Sequence, residues 1–551
     1  MDRIIPICSA IALTLIPNSA NARRGDSLSP LAAYVQARVA IAGGDNVIAA
    51  KLLGDVMLAA PDDLSIAKRS WRQAVNAGDR ALAVRAATTL ERLGEVGPDA
   101  RLLLFTEELR KGDFKRATEQ LDKIEAGGTF SFFVPSMRAW TSVAARDGDP
   151  LEALDVLSKD GFSGQFADEQ RCLILLALGR KAEAVAAINR LGGSDERWVS
   201  LRLVAAARLI AMKDKTAALS MIEGDDPAYR VARARIAANQ PLAGGTITPL
   251  SAAATLLTRV SSDLMAGEPT PIALSLAQLS SFADTAGSNA VLVRARAMHN
   301  IGRSDDALAD LEAIAGDDPM ASRADELRFS IYTDTNRLDQ ALALADAALA
   351  RSDATWRDHT RRAEALARME KHADAAASYG RAIELVASAA GPNRVPASLW
   401  LLYGESLERS GQWARAKPAL QKAVDFGPND AVPLNYLGYS MLEAGENPEE
   451  ALNLIMRASA LKPDDPAITD SLGWAYFRRG ELGKAVPTLE RAFAADPTIS
   501  EIGEHLGDAY WTSGRRIQAR HTWQAALLQA DGKDAERIKA KLDGGLVAKA
   551  N

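Results

Sequence analysis

A spacing of about 34 residues, repeated through one stretch of the chain, limits the fold more than any other feature. Gly404, Gly438, Gly473 and Gly507 stand 34, 35 and 34 residues apart. Gly411, Gly445, Gly480 and Gly514 keep the same step, as do Ala416, Ala451, Ala485 and Ala519. Ala423, Ala458, Ala492 and Ala526 form a fourth set, and Pro428, Pro463 and Pro497 close three of the units. Within one unit the pattern reads as two helices. Gly404 and Leu407 share a face of the first, and Ala416, Leu420 and Ala423 share a face of the second. Helices approach closely only where side chains are small, so Gly and Ala are expected at their crossing points. Gly411 falls in the turn, where an open or left-handed backbone is needed, and Pro428 ends the second helix.

Weaker copies of the pattern extend through most of the chain. In 30–63, Ala37, Gly44, Ala49, Leu53 and Pro61 occupy the same places. Gly78/Ala83, Gly112/Ala117, Gly148/Ala153 and Gly179/Ala184 continue them, giving degenerate repeats over 23–240. Residues 226–288 fit the register least, because Pro241, Gly244, Gly245 and Pro249 mark a loop and Gly267–Pro271 breaks the helical pattern. This predicts an atypical helical segment or joint over 241–287. Looser repeats resume in 288–396, four regular ones fill 397–533, and 534–551 reads as a capping helix with a loose tail.

The amino terminus reads as an export signal. Arg3 precedes an uncharged run from Ile4 to Pro17, and Ala20-Asn21-Ala22 offers cleavage after Ala22. That run is shorter than the ~20 residues that span a bilayer, so no integral membrane segment is expected. Cys8 follows Ile7 inside the apolar run, which does not suit lipidation. Cleavage would leave Cys172 alone, as a small buried residue without a disulfide. A net charge of −6 gives no basic footprint, so nucleic acid is not an expected partner.

With this period and these small residues, the chain resembles the tetratricopeptide repeat family, most specifically in 397–533. The resemblance implies an all-α fold, a right-handed superhelical solenoid of helix-turn-helix repeats. It also implies a concave groove lined by first helices and a role in binding proteins or peptides. The segments LNYLGYSMLEAGENPEEALNLI, DSLGWAYFRRG and HLGDAYWTSGRR are further similar to bacterial envelope proteins. That group includes outer-membrane-anchored adaptors that recruit carboxyl-terminal processing proteases; the expected location, the periplasm, follows from the export signal cleaved after Ala22.

The groove candidates follow from the first-helix face turned away from the second helix. They are Asn435, Tyr439 and Leu442, then Asp470, Trp474 and Phe477, then Glu504, Asp508 and Trp511. Tyr439, Trp474, Phe477 and Trp511 are expected to form an aromatic line of the residue types that anchor interfaces; packing between repeats is the alternative. Trp523 is expected in the core. The acidic residues Glu405, Asp470, Glu504 and Asp508 favour a neutral or basic partner segment. Leu401 and Glu405 stand where the family's carboxylate clamp would need basic or amide groups, so chaperone carboxyl tails are not expected.

The search for chemistry yields no catalytic residue, metal site or cofactor. His299, His359, His372, His505 and His521 occur singly, without ligand spacing. The expected function is a non-enzymatic exported scaffold or adaptor. The alternative is an enzyme, or a substrate-handling subunit of a cell-wall enzyme, with its site in 226–288. A pocket with converging polar side chains there would favour that alternative.

Overall fold

The structure is a computed structural model that describes residues 28–155, 162–191, 196–267, 270–284, 287–351 and 354–546. The expected export signal in 1–22 lies outside these residues. Among the described residues the regular elements are all helical, with no strand. The chain divides into two compact units, one ending at Ile331 and one beginning at Tyr332.

The first unit opens with α1 (Pro30–Ala42), α2 (Asn46–Ala59), α3 (Leu64–Ala77), α4 (Arg80–Arg92), α5 (Pro98–Lys111) and α6 (Phe114–Gly127). It continues through α7 (Val134–Ala145), α8 (Glu152–Asp155), α9 (Phe162–Ala177), α10 (Lys181–Arg190), α11 (Glu196–Ala211) and α12 (Lys215–Met221). A single helix α13 (Pro227–Ala237) precedes α14 (Pro249–Leu264), α15 (Pro271–Ala283), α16 (Ser288–Asn300) and α17 (Ser304–Leu311). The division into units falls within α18 (Ala321–Asp334).

Helices α1 to α12 pack as successive antiparallel pairs. The hairpin α14–α15 does not continue that stack. It lies on the first helices α3, α5, α7 and α9. The sequence explains why. Helix α15 is apolar or small around most of its circumference, with Leu274, Leu276, Leu279 and Phe282 all buried, and such a helix needs cover on several sides. Small hydroxyls let its two helices approach: Thr258 and Ser280 share a 2.6 Å hydrogen bond, and Ser261 donates to the Ala273 carbonyl at 2.7 Å. Pro249 and Pro271 start the two helices, where a missing N–H costs nothing.

Long-range polar contacts fix the hairpin in place. Ser275 donates to Asp99 at 2.8 Å. Arg110 donates to the carbonyls of Phe282 and Ala283 at 2.6 and 3.1 Å. It thereby satisfies acceptors that the end of α15 leaves open, and it brings positive charge to the negative end of the helix dipole. From the turn before α17, Arg303 donates to the Asn76 carbonyl at the end of α3, at 3.1 Å.

The second unit holds α19 (Leu338–Leu349), α20 (Trp356–Arg368), α21 (His372–Ala390), α22 (Ala397–Arg409), α23 (Trp413–Phe426) and α24 (Ala431–Glu443). It ends with α25 (Pro448–Leu461), α26 (Pro466–Arg478), α27 (Leu482–Ala495), α28 (Ser500–Thr512), α29 (Arg516–Leu527) and α30 (Gly532–Gly544). Here the period has a direct physical cause. A Cβ on Gly404 would sit 2.6 Å from Leu420, and one on Gly507 would sit 2.3 Å from the Trp523 ring. The alanines of both periodic sets are buried at the helix crossings. Gly411 and Gly514 adopt the left-handed backbone at φ 75° and 83°, in the turns between paired helices. No described helix is long and apolar enough to cross a membrane.

Candidate functional site

Three first helices of the regular array, α24, α26 and α28, carry the predicted groove residues. Trp474 lies parallel to His505, with ring centroids 4.0 Å apart and planes 13° apart. Phe477 stacks on Trp474 at 4.8 Å, and the Tyr439 ring lies 6.4 Å from His505. The Tyr439 hydroxyl donates to Glu501 at 2.6 Å, joining α24 to α28, two repeats on. Burial and the Glu501 carboxylate both push its phenol pKa upward. Trp474 donates from its indole nitrogen to Glu443 at 2.8 Å, and Arg478 reaches the same carboxylate at 3.0 Å. Tyr439, Trp474 and Phe477 are half-buried, each with an aromatic neighbour and surface left to offer.

His505 is the centre of this cluster, and the sequence did not single it out. It is buried, and its Nδ1 lies 2.8 Å from Asp470. Burial works against a charge on the ring. Asp470 outweighs it by attraction and hydrogen bonding, with help from Glu501 and Asp508, and holds the imidazole above its usual value. The available signal was positional, since His505 follows Asp470 by one repeat, 35 residues.

The acidic candidates stand differently from the expectation of open charge facing a basic partner. Glu504 and Asp508 are buried, and the chain's own last helix neutralises them. Arg537 grips Glu504 through two nitrogens at 2.7 and 2.6 Å, and Lys541 bridges Glu504 and Asp508 at 2.6 Å each. Burial opposes the charge on Glu504, but Arg537 and Lys541 hold its carboxyl below the usual range. In Asp508 burial prevails and the value rises. The indole nitrogen of Trp523 also donates to Asp508, at 3.0 Å. Asp470 is taken by His505. Glu405 remains half-buried beside Arg409 at 3.2 Å.

Trp511 departs from the aromatic line. It packs 5.4 Å from the buried Trp523 and beneath Gly545, where an added Cβ would meet its ring at 2.1 Å. Leu442 is buried among core residues of its own repeat. Asn435 is half-buried, and its Oδ1 has no partner. The structure thus brings Tyr439, Trp474 and Phe477 together, and it places Leu442, Glu504, Asp508 and Trp511 in packing or ion pairs.

The tetratricopeptide repeat family model matches residues 292–355, 360–431 and 437–498. These segments are similar to tetratricopeptide repeats. The last of them holds α26 and the end of α24, which carry Tyr439, Trp474 and Phe477. The chain is also 37% identical over 120 residues to a TPR repeat-containing protein of Pseudomonas aeruginosa, which covers 21% of this chain. That match spans about a fifth, 20%, of the relative's length. Among solved structures, a tetratricopeptide repeat protein from Parabacteroides merdae is similar at 14% identity and a TM-score of 0.38, covering 46% of this chain and 97% of its own. YrrB, described as a TPR protein with an unusual peptide-binding site, is similar at 22% identity and a TM-score of 0.26, covering 33% and 90%.

A second concave feature lies in the first unit. A cleft of about 220 Å³ opens between α9, α11, α14 and α16, and the segment that fits the repeat register least supplies only part of its wall. Polar side chains do converge there, among them Ser200, Arg259 and Asn289. The described residues of its wall include neither His nor Cys. The thiol of Cys172 is buried elsewhere in the core, and burial pushes its pKa up to about 12. Among the described residues, no group of three His, Cys, Asp or Glu could hold a metal ion.

Proposed function

We propose that this protein is a non-enzymatic scaffold that takes a protein or peptide segment on the first-helix face of its regular repeats. The observation that carries this reading is the half-buried cluster of Tyr439, Trp474 and Phe477 around His505. It presents aromatic faces of the kind that anchor interfaces, and its polar edges are already tied to Glu443 and Glu501. In the other unit the first helices α3, α5, α7 and α9 lie under their own hairpin, which favours the second unit as the binding face. Because Glu504 and Asp508 are neutralised internally, the partner segment is mainly apolar or aromatic, with polar groups for the exposed Glu443 and Glu501. Export after cleavage at Ala22, and recruitment of a processing protease or an envelope-assembly machine, are the cellular setting we infer from the sequence resemblance.

The test is affinity capture of the tagged protein from native envelopes, beside a Trp474→Ala/Phe477→Ala variant with unchanged circular dichroism. One dominant partner lost by the variant is the expected result. A partner retained by the variant moves the interface away from this cluster. Amino-terminal sequencing of the same preparation tests export, which requires a start at Arg23.

A further inference from the structure

We propose that the cleft beside α14 binds a small, uncharged, largely apolar molecule bearing an amide-like donor and acceptor pair. This is independent of the partner face on the regular repeats. Three observations converge on it. The first is size and lining. The cleft of about 220 Å³ is walled mainly by apolar groups, including Leu173, Leu201, Val204, Ile247 and Val293, and ligand sites are mostly apolar with a few placed polar groups.

The second is a set of polar atoms without partners. Ser200 Oγ, Arg259 Nε and Asn289 Oδ1 all belong to wall residues, are shielded from solvent and have no hydrogen bond. Buried polar groups are normally paired. Three orphans in one wall mark where small side-chain rotations would complete a set of bonds to a guest. They comprise a hydroxyl, an N–H donor and a carbonyl acceptor, which is the complement of an amide.

The third is charge. The ionic groups of the wall are already engaged with the protein. Arg197 pairs with Glu169, both buried; Arg259 lies 2.8 Å from Asp263; and Asp318 accepts from Ser288 and from the Met320 amide, both at 2.7 Å. The wall carries three carboxylates, Glu169, Asp284 and Asp318, against two guanidiniums. A charged guest would enter without a counter-ion and lose its hydration. A neutral one would not.

Thr255 lines the cleft and is exposed, so a larger side chain there can fill the space without disturbing the core. The experiment titrates the full chain with N-phenyl-1-naphthylamine, a neutral apolar fluorophore with one N–H. N-hexylacetamide, hexanoate and hexylammonium then compete for it. Saturable binding is expected, displaced by the amide at concentrations at least tenfold lower than by either ion. Thr255→Trp should weaken probe binding at least tenfold, and Asn289→Leu should weaken the amide's competition while sparing the probe. Circular dichroism and melting confirm that each variant is folded. Absence of saturable binding by the wild type overturns the proposal. So does binding unchanged in folded Thr255→Trp, or better displacement by hexanoate or hexylammonium. A Trp474→Ala variant should bind the probe normally; loss there would assign the signal to the other unit and also overturn the proposal.

Discussion

The two units use the same paired helices and treat their first-helix faces in opposite ways. In the first unit, α3, α5, α7 and α9 are covered by a hairpin from the same unit, held by Asp99 and Arg110. In the second, α24, α26 and α28 meet through an aromatic and acidic cluster that stays half-exposed, and only the last repeat is closed, by α30. The difference teaches that a repeat's architecture does not fix its availability to partners. What decides it is whether the chain supplies its own occupant.

The contrast can be broken most severely at a helix crossing. Ala485→Glu places an unpartnered charge at a fully buried site in the second unit and should destabilise that unit by about 3–5 kcal/mol. Hydrogen exchange should show lost protection across 397–533 with 64–283 unchanged. Equal melting of variant and wild type would contradict the crossing geometry. Next in size is Arg110→Ala, which removes charged hydrogen bonds from the end of α15 and should cost about 2 kcal/mol. Faster exchange in 249–283, with the regular array unaffected, would sharpen the distinction. Unchanged exchange there would mean that Arg110 does not hold the cover. Tyr439→Phe deletes the hydroxyl that joins α24 to α28 and should cost about 1 kcal/mol, read as a small fall in the melting temperature of the second unit alone.

The smallest effect is on pH. The imidazole of His505 is raised above its unfolded value near 6.5, so its contribution to stability is full below that value. It is lost as pH rises through the raised value. Melting of the second unit should therefore fall as pH rises above about 6.5, and His505→Gln should flatten that slope. A slope unchanged in the variant would remove His505 from the explanation.

The legible parts of the molecule were those written at short range. Gly404, Gly438, Gly473 and Gly507 mark crossings within single helix pairs, so their geometry appears directly as a period. Tyr439, Trp474 and Phe477 were readable as first-helix residues for the same reason. The cover over the first unit left no such trace, because Ser275 meets Asp99 across 176 residues and no local spacing encodes that contact. The acids of α28 were misread because their partners stand in a helix outside the regular pattern. Arg537 and Lys541 each lie 33 residues beyond their carboxylates, almost one repeat. That offset shows α30 holding the place of a further first helix. His505 was missed because a solitary histidine has no pattern, and its meaning comes from stacking.

The hairpin over the first unit also sets an order of events in folding. In the regular array, cross-pair hydrogen bonds join residues one or two repeats apart, as with Trp474 and Glu443, 31 residues away, and Tyr439 and Glu501, 62 away, so contact order is low and pairs can close as they are made. The first unit closes only when Ser275 has followed Asp99 and Arg303 has followed Asn76, a separation of 227 residues in the second case. At a synthesis rate of about 5–20 residues per second, the earlier helices wait roughly 10–50 s for their cover. During that interval their apolar faces stay uncovered, so a chaperone that acted on this protein would find its surface before the hairpin emerges rather than after.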